Sequence, residues 1–340
     1  MTNDPRTLQV SISGEVFGQR GFRYTPTPAM GEPVFVDGWE VRFSRILVTV
    51  QNIRLNRPGN NPSDPSSVGA PVATNPRAYA VNLQKAGPLT GTGGGEETAL
   101  PLFVFRSDQN GRALEPTVRY ALSFDFVTAT LAATNINLDA DDLAAYRTMI
   151  SRRWTHLVTG TATYRGIAPP AASPFADYPT TVTFSFGFGA PAAYVNCSNP
   201  DNGGKEMPGV QPNATGPVRA QLTLHMDHLF WDALGRENPP LRFDHLAARA
   251  TGTGTVGTVT MDDLAGVVPT NLRDRTMRPV PDRGQTTGYT PRNPMALSLD
   301  LGGTPGIHDL RDFVAFSARA AAHLNTDGLC AVRPSAPITY

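Results

Sequence analysis

Thiols are scarce in this chain of 340 residues: it holds two cysteines, Cys197 and Cys330. A metal site built on a set of thiolates is therefore not available to it. Charge is scarce as well. Only 17% of the residues are charged, and 29 basic side chains balance 29 acidic ones. That balance argues against a nucleic-acid groove or an anionic-membrane surface, both of which need a basic excess. No apolar run approaches the length of a membrane span. The start, Met1 to Arg6, has no apolar signal core. The glycine-rich stretch from Leu89 to Glu96 lacks the Gly-Lys-Ser/Thr ending of a phosphate cradle, and no helical pattern follows it. A metalloprotease helix motif and a Gly-x-Ser-x-Gly elbow are both missing.

Glycine (32) and proline (31) are abundant, and together with threonine and many short apolar runs they favour a chain rich in strands and loops. Apolar residues alternate at Leu8, Val10 and Ile12, at Tyr120, Leu122, Phe124 and Phe126, at Val182 to Phe188, and at Val218 to Leu224. The longest strand-like run, Trp39 to Leu55, changes apolar phase twice, which predicts bulges near Arg45 and Asn52. A late strand is expected over Met295, Leu297, Leu299 and Leu301. Asp139 opens a helix with an acidic first turn, Leu241 to Ala250 reads as another, and a last helix is expected over 308–324. Segments 56–76 and 270–294 read as loops without elements of their own. The expected fold is mainly β, an antiparallel, jelly-roll-like β-sandwich with a few peripheral helices. It is taken as one domain over 1–340 with helical insertions at 139–151 and 228–264. Both cysteines lie in polar, turn-like contexts, which suit a Cys197–Cys330 disulfide better than two buried thiols.

The stretch from Leu222 to Leu234 gathers coordinating groups more densely than any other, with two of the six histidines in the chain. His225 falls on the polar phase at the end of a strand. Asp227 is placed to cap a short helix from His228 to Leu234. A strand-end histidine and a first-turn histidine three residues on can converge on one ion; the plainer alternative makes both surface residues and Asp227 a cap alone. His323 is expected to close the last helix just before Cys330. Glu15, beside a glycine at a strand end, is either a ligand or a solvated edge charge. His156 lies on an apolar phase and is expected in the core. Residues 252–263 match the second half of an EF-hand loop, but Gly252, Gly254 and Val256 stand where calcium needs side-chain oxygens. That segment is expected to fold like an EF-hand connection without calcium.

Several of these stretches, in order, resemble a group of largely uncharacterised secreted or lipid-anchored bacterial proteins. They are Gly14-Glu15, Asp37 to Phe43, the His-x-Asp-His-Leu-Phe-x-Asp motif from His225 to Asp232, Leu241 to Asp244, the EF-hand-like turn, and His323 to Cys330. In that group the tail carries a Gly-His…Gly-His-Cys pattern, where this chain has Ala322 and Leu329 at the first glycine and second histidine. A fainter likeness, in the strand Trp39–Leu55 and the late cysteine, is to copper-binding β-sandwich proteins associated with methanobactin. The resemblance implies a periplasmic or extracellular protein that handles metal. The expected site combines His225 and His228, with His323 and Glu15 as candidate further ligands and Asp227 as a ligand or the group that orients one. Imidazole ligation without thiolate suits zinc or copper(II). Two other functions stand beside this one: a metal-dependent hydrolase that uses a bound water, and a surface or assembly protein with loops 56–76 and 270–294 as contacts.

Overall fold

The computed structural model describes residues 4–26, 28–29, 32–61, 63–93, 96–166, 168, 171, 176–202, 205–234, 239–269 and 306–340. The expected strand at Met295–Leu301 and the segment 270–294 lie outside the described residues.

Alternation builds the first strand, β1 (Leu8–Ser13), which passes through Gly14 into a short helix, α1 (Glu15–Arg20). The spine of the fold is β2 (Trp39–Pro58), 20 residues long. Its two phase slips are real: register shifts between Phe43 and Arg45, and again between Gln51 and Arg54, where Asn52 takes a left-handed φ of 52°. Five strands of the middle chain come next, β3 (Val68–Asn75), β4 (Tyr79–Asn82), β5 (Leu89–Thr90), β6 (Thr98–Phe105) and β7 (Ala121–Phe126). A short β8 (Thr134–Asn135) leads to α2 (Ala140–Arg152), whose first turn is capped by the Asp139 carboxylate accepting from the Asp142 N–H. The chain continues through β9 (His156–Tyr164), β10 (Thr181–Phe188), β11 (Ala192–Val195), β12 (Ser198–Asn202), β13 (Lys205–Pro208) and β14 (Val218–Leu224). After a 3₁₀ turn, Met226–Phe230, come α3 (Asp244–Ala247), β15 (Thr251–Thr253), β16 (Val256–Thr260), α4 (Leu310–Arg319), β17 (Ala322–Leu324) and β18 (Ala331–Pro334).

The strands form a mainly β sandwich with few helices. One sheet has the order β17-β14-β1-β6-β5; the larger runs β15-β16-β10-β9-β2-β7-β11-β18, with β3 and β4 attached to β2 and β8 to β4. Most neighbours are antiparallel, but β1 with β14, β10 with β16 and β4 with β8 are parallel. Parallel pairing needs a long crossover, so local alternation does not announce it. The apolar core draws on both sheets, from Leu8, Val10 and Leu222 on one to Val41, Phe184 and Phe124 on the other.

Several local expectations are corrected. Segment 56–76 is not a bare loop: β2 runs on to Pro58 and β3 pairs with it. The region 228–264 is not a helical insertion. Only Asp244–Ala247 of the stretch Leu241–Ala250 is α-helical, and the EF-hand-like segment folds as the β15–β16 hairpin. The last helix stops at Arg319, and residues 322–324 leave it to pair with β14. An alanine-rich run suits a helix, but the exposed ladder edge of β14 offers those backbone groups more.

Candidate metal centre

Parallel pairing of β1 with β14 sets up the site. Their register puts Ser13 beside Thr223, so both chains leave the sheet at one level. Glu15 and His225 each follow two residues later and meet there, with Glu15 Oε1 3.0 Å from His225 Nε2. On the other side of β14, antiparallel β17 sets His323 opposite Thr223. Beyond the strand, the 3₁₀ turn folds His228 back toward the same point. Phe230, at the end of that turn, is fully buried among Phe22, Phe35, Phe43, Phe184 and Phe243. This aromatic cluster holds the turn to the core.

His225, His228 and His323 each offer a ligand atom, and these atoms lie within 4.8 Å of one another. The His225 and His323 rings stack with centroids 4.1 Å apart and planes at 16°, while His228 stands nearly perpendicular to both. Ligands about 2.1 Å from a tetrahedral zinc are roughly 3.4 Å from each other, so side-chain rotations worth about an ångström would close the set on an ion. Two imidazole nitrogens here are buried and lack a hydrogen bond: His228 Nδ1 and His323 Nδ1. Buried polar atoms are nearly always satisfied, so two orphan ring nitrogens at one place fit a cation with nitrogen ligands.

The surroundings orient these rings as metal ligands are oriented, through the nitrogen turned away from the ion. His225 Nε2 donates to the Thr326 carbonyl at 2.7 Å. The His228 ring donates to the Ser317 carbonyl at the end of α4, and since Nδ1 has no partner, the bonded nitrogen is Nε2. Charge is unevenly shared. Burial resists a proton on His225, but the Glu15 contact, Asp227 and the Thr326 carbonyl outweigh it and lift its pKa to about 9. Burial and the neighbouring His225 charge lower His323 to about 4, and burial with both neighbouring rings holds His228 well below the ordinary histidine range. Burial raises the Glu15 carboxyl, with the His225 ring opposing the rise. Two rings thus keep lone pairs available at neutral pH.

Of the five residues singled out in the sequence, His225, His228 and His323 come together, Glu15 touches the group through His225, and Asp227 reaches it through Trp231. Glu15 is not a solvated edge charge: it opens α1 in a left-handed conformation (φ 56°) with its side chain 14% exposed. Asp227 does not cap. His225 is the residue before the 3₁₀ turn, it makes no capping bond, and the Asp227 carboxylate instead accepts from Trp231 Nε1 at 3.1 Å. Trp231 then lies against His228, ring centroids 3.5 Å apart. His323 sits on β17 and not at a helix end. His156 belongs to the core, stacked on Phe188 with its Nδ1 2.6 Å from Thr155 Oγ1. Thr326 and Ser317 escaped the sequence reading because they act through backbone carbonyls, which leave no side-chain signature. Trp231 was within reach, three residues after His228 in the same motif. The expected disulfide is present between Cys197 and Cys330. No family model, no curated protein and no solved structure matches the chain.

Proposed function

We propose that this is a secreted metal-binding protein of the periplasm or cell exterior, holding zinc or copper(II) on His225, His228 and His323. Glu15, against the His225 Nε2, orients that ring and remains a candidate further ligand, and Asp227 acts through Trp231 and through its charge. The observation that carries this reading is the pair of buried, unpartnered Nδ1 atoms of His228 and His323 beside His225. Imidazole and carboxylate without thiolate suit zinc and copper(II) over calcium or magnesium. A disulfide suits an oxidising compartment.

The test is metal analysis of protein purified without a histidine tag, followed by zinc and copper titrations. One equivalent of metal is expected, lost in the His225→Ala/His228→Ala double variant while the far-UV spectrum stays native. Metal-free protein that takes up neither ion, or a double variant that binds as wild type does, overturns the proposal.

A further inference from the structure

The segment that completes the metal centre is clamped by the cystine. β17 carries His323, the turn Asn325–Gly328 supplies the Thr326 carbonyl to His225, and Cys330 follows two residues later. Asn325 and Thr326 are successive non-glycine residues with φ of 47° and 77°. Such a conformation persists only where the surroundings hold it. Much of what holds it comes from residues 197–199. The Asn325 amide donates to Asn199 Oδ1 at 3.1 Å, the Ser198 N–H donates to the Leu329 carbonyl at 2.7 Å, and a Cβ at Gly328 would collide with the Ser198 carbonyl. Cys197 fixes that strip to Cys330. One covalent bond therefore anchors the backbone that provides one ligand and orients a second. Cys197 is fully buried, but Cys330 is half-buried and lines a cavity of about 650 Å³ together with Asn196, Ser198, Pro208 and Leu329.

We propose that the Cys197–Cys330 disulfide is a redox gate on the metal centre: a dithiol reductant reaching it through this cavity frees the turn and weakens metal binding. This rests on the metal-binding reading above. In the step, the two S–H bonds of the dithiol give way to one S–S bond. Two electrons and two protons pass to the cystine, which becomes two thiols. With the clamp released, the Asn325–Gly328 turn loses its hold on residues 197–199. His323 and the carbonyl that orients His225 lose their fixed positions together.

Zinc titrations on three forms test this: the oxidised protein, the protein reduced with dithiothreitol and desalted anaerobically, and the Cys197→Ser/Cys330→Ser variant. The double variant matters because it adds no thiolate that could itself take zinc. Loss of a group that orients a ligand typically weakens metal affinity 10–100-fold, and a weakening of at least about tenfold is expected in the double variant. Hydrogen exchange is expected to show faster exchange over 322–330 with β2 and β9 still protected. Unchanged zinc affinity in the double variant overturns the gate while leaving the metal reading intact. Loss of protection throughout the sheets also overturns it, since the bond would then be a staple for the whole fold. Failure of the oxidised protein to bind zinc or, in a parallel titration, copper(II) sinks the metal reading, and the gate with it.

Discussion

Acid should weaken this fold through two histidines that have nothing to do with the metal centre. His156 and His245 are each 1% exposed. Burial, with help from Arg319 in one case and Arg242 in the other, lowers both pKa values to about 3. In the unfolded chain each would titrate near 6.5. Between those values the unfolded state binds more protons than the folded one, so stability falls as pH falls. Above about pH 6.5 both states are neutral and the histidines contribute no slope. Each residue should cost about 1.4 kcal/mol per pH unit through the window, hence about 5 kcal/mol for the pair at pH 4.5. That is a large part of the roughly 5–15 kcal/mol that holds a domain together.

The assay is urea unfolding of metal-free protein at half-unit steps from pH 4.5 to 7.5. His156→Met isolates one contribution. The Thr155 hydroxyl keeps its contacts with Phe188 and Ala190, and methionine can fill the site between Phe126 and Phe188. Whatever its effect at pH 7.5, the variant should show a stability slope below pH 6.5 shallower than wild type by about 1.4 kcal/mol per pH unit. Parallel wild-type and variant curves would refute the reasoning, because they would mean that His156 takes up its proton equally well in both states.

Other perturbations probe the site and its supports. Phe230→Ala removes the ring that fixes the 3₁₀ turn to five phenylalanines, and urea unfolding should report a loss of about 3–5 kcal/mol. Arg242→Met takes the guanidinium from Asp232, a carboxylate with no exposed surface and 2.8 Å from Arg242 Nε. Breaking a buried pair from one side should cost about 3–5 kcal/mol in the same assay. Glu15→Gln should leave the fold intact yet weaken zinc binding by about 10–100-fold in calorimetric titration. An unchanged affinity would remove Glu15 from both the ligand set and the ring-orienting set.

The strands β7, β10 and β14 were legible from alternation because the hydrophobic period of a half-buried strand is a local property. The bulges in β2 were legible for the same reason: a slip in apolar phase has to be absorbed where it occurs. The histidine cluster at 225 and 228 could be found as a density of ligand types, and the cystine from the turn-like setting of its two halves. The polar phase of β14 was misleading. Gln221 and Thr223 are each 1% exposed, because Glu97, Thr92 and the Asn325–Gly328 turn close over that face through hydrogen bonds. A polar side chain satisfied by distant chain looks, in sequence, like one satisfied by water.

Pairing partners are chosen over distances that no periodicity encodes. The β1–β14 parallel register brings Glu15 to His225 across 210 positions of sequence, and antiparallel pairing would have sent the two to opposite ends of the sheet. The ladder edge of β14 likewise drew residues 322–324 out of an expected helix and set His323 beside the other rings. Sequence alone determined which side chains could bind a metal, since donor chemistry belongs to the residue. Only the tertiary structure decided that three imidazoles meet at one point with a carboxylate against one of them, because backbone hydrogen bonds between remote segments set those distances.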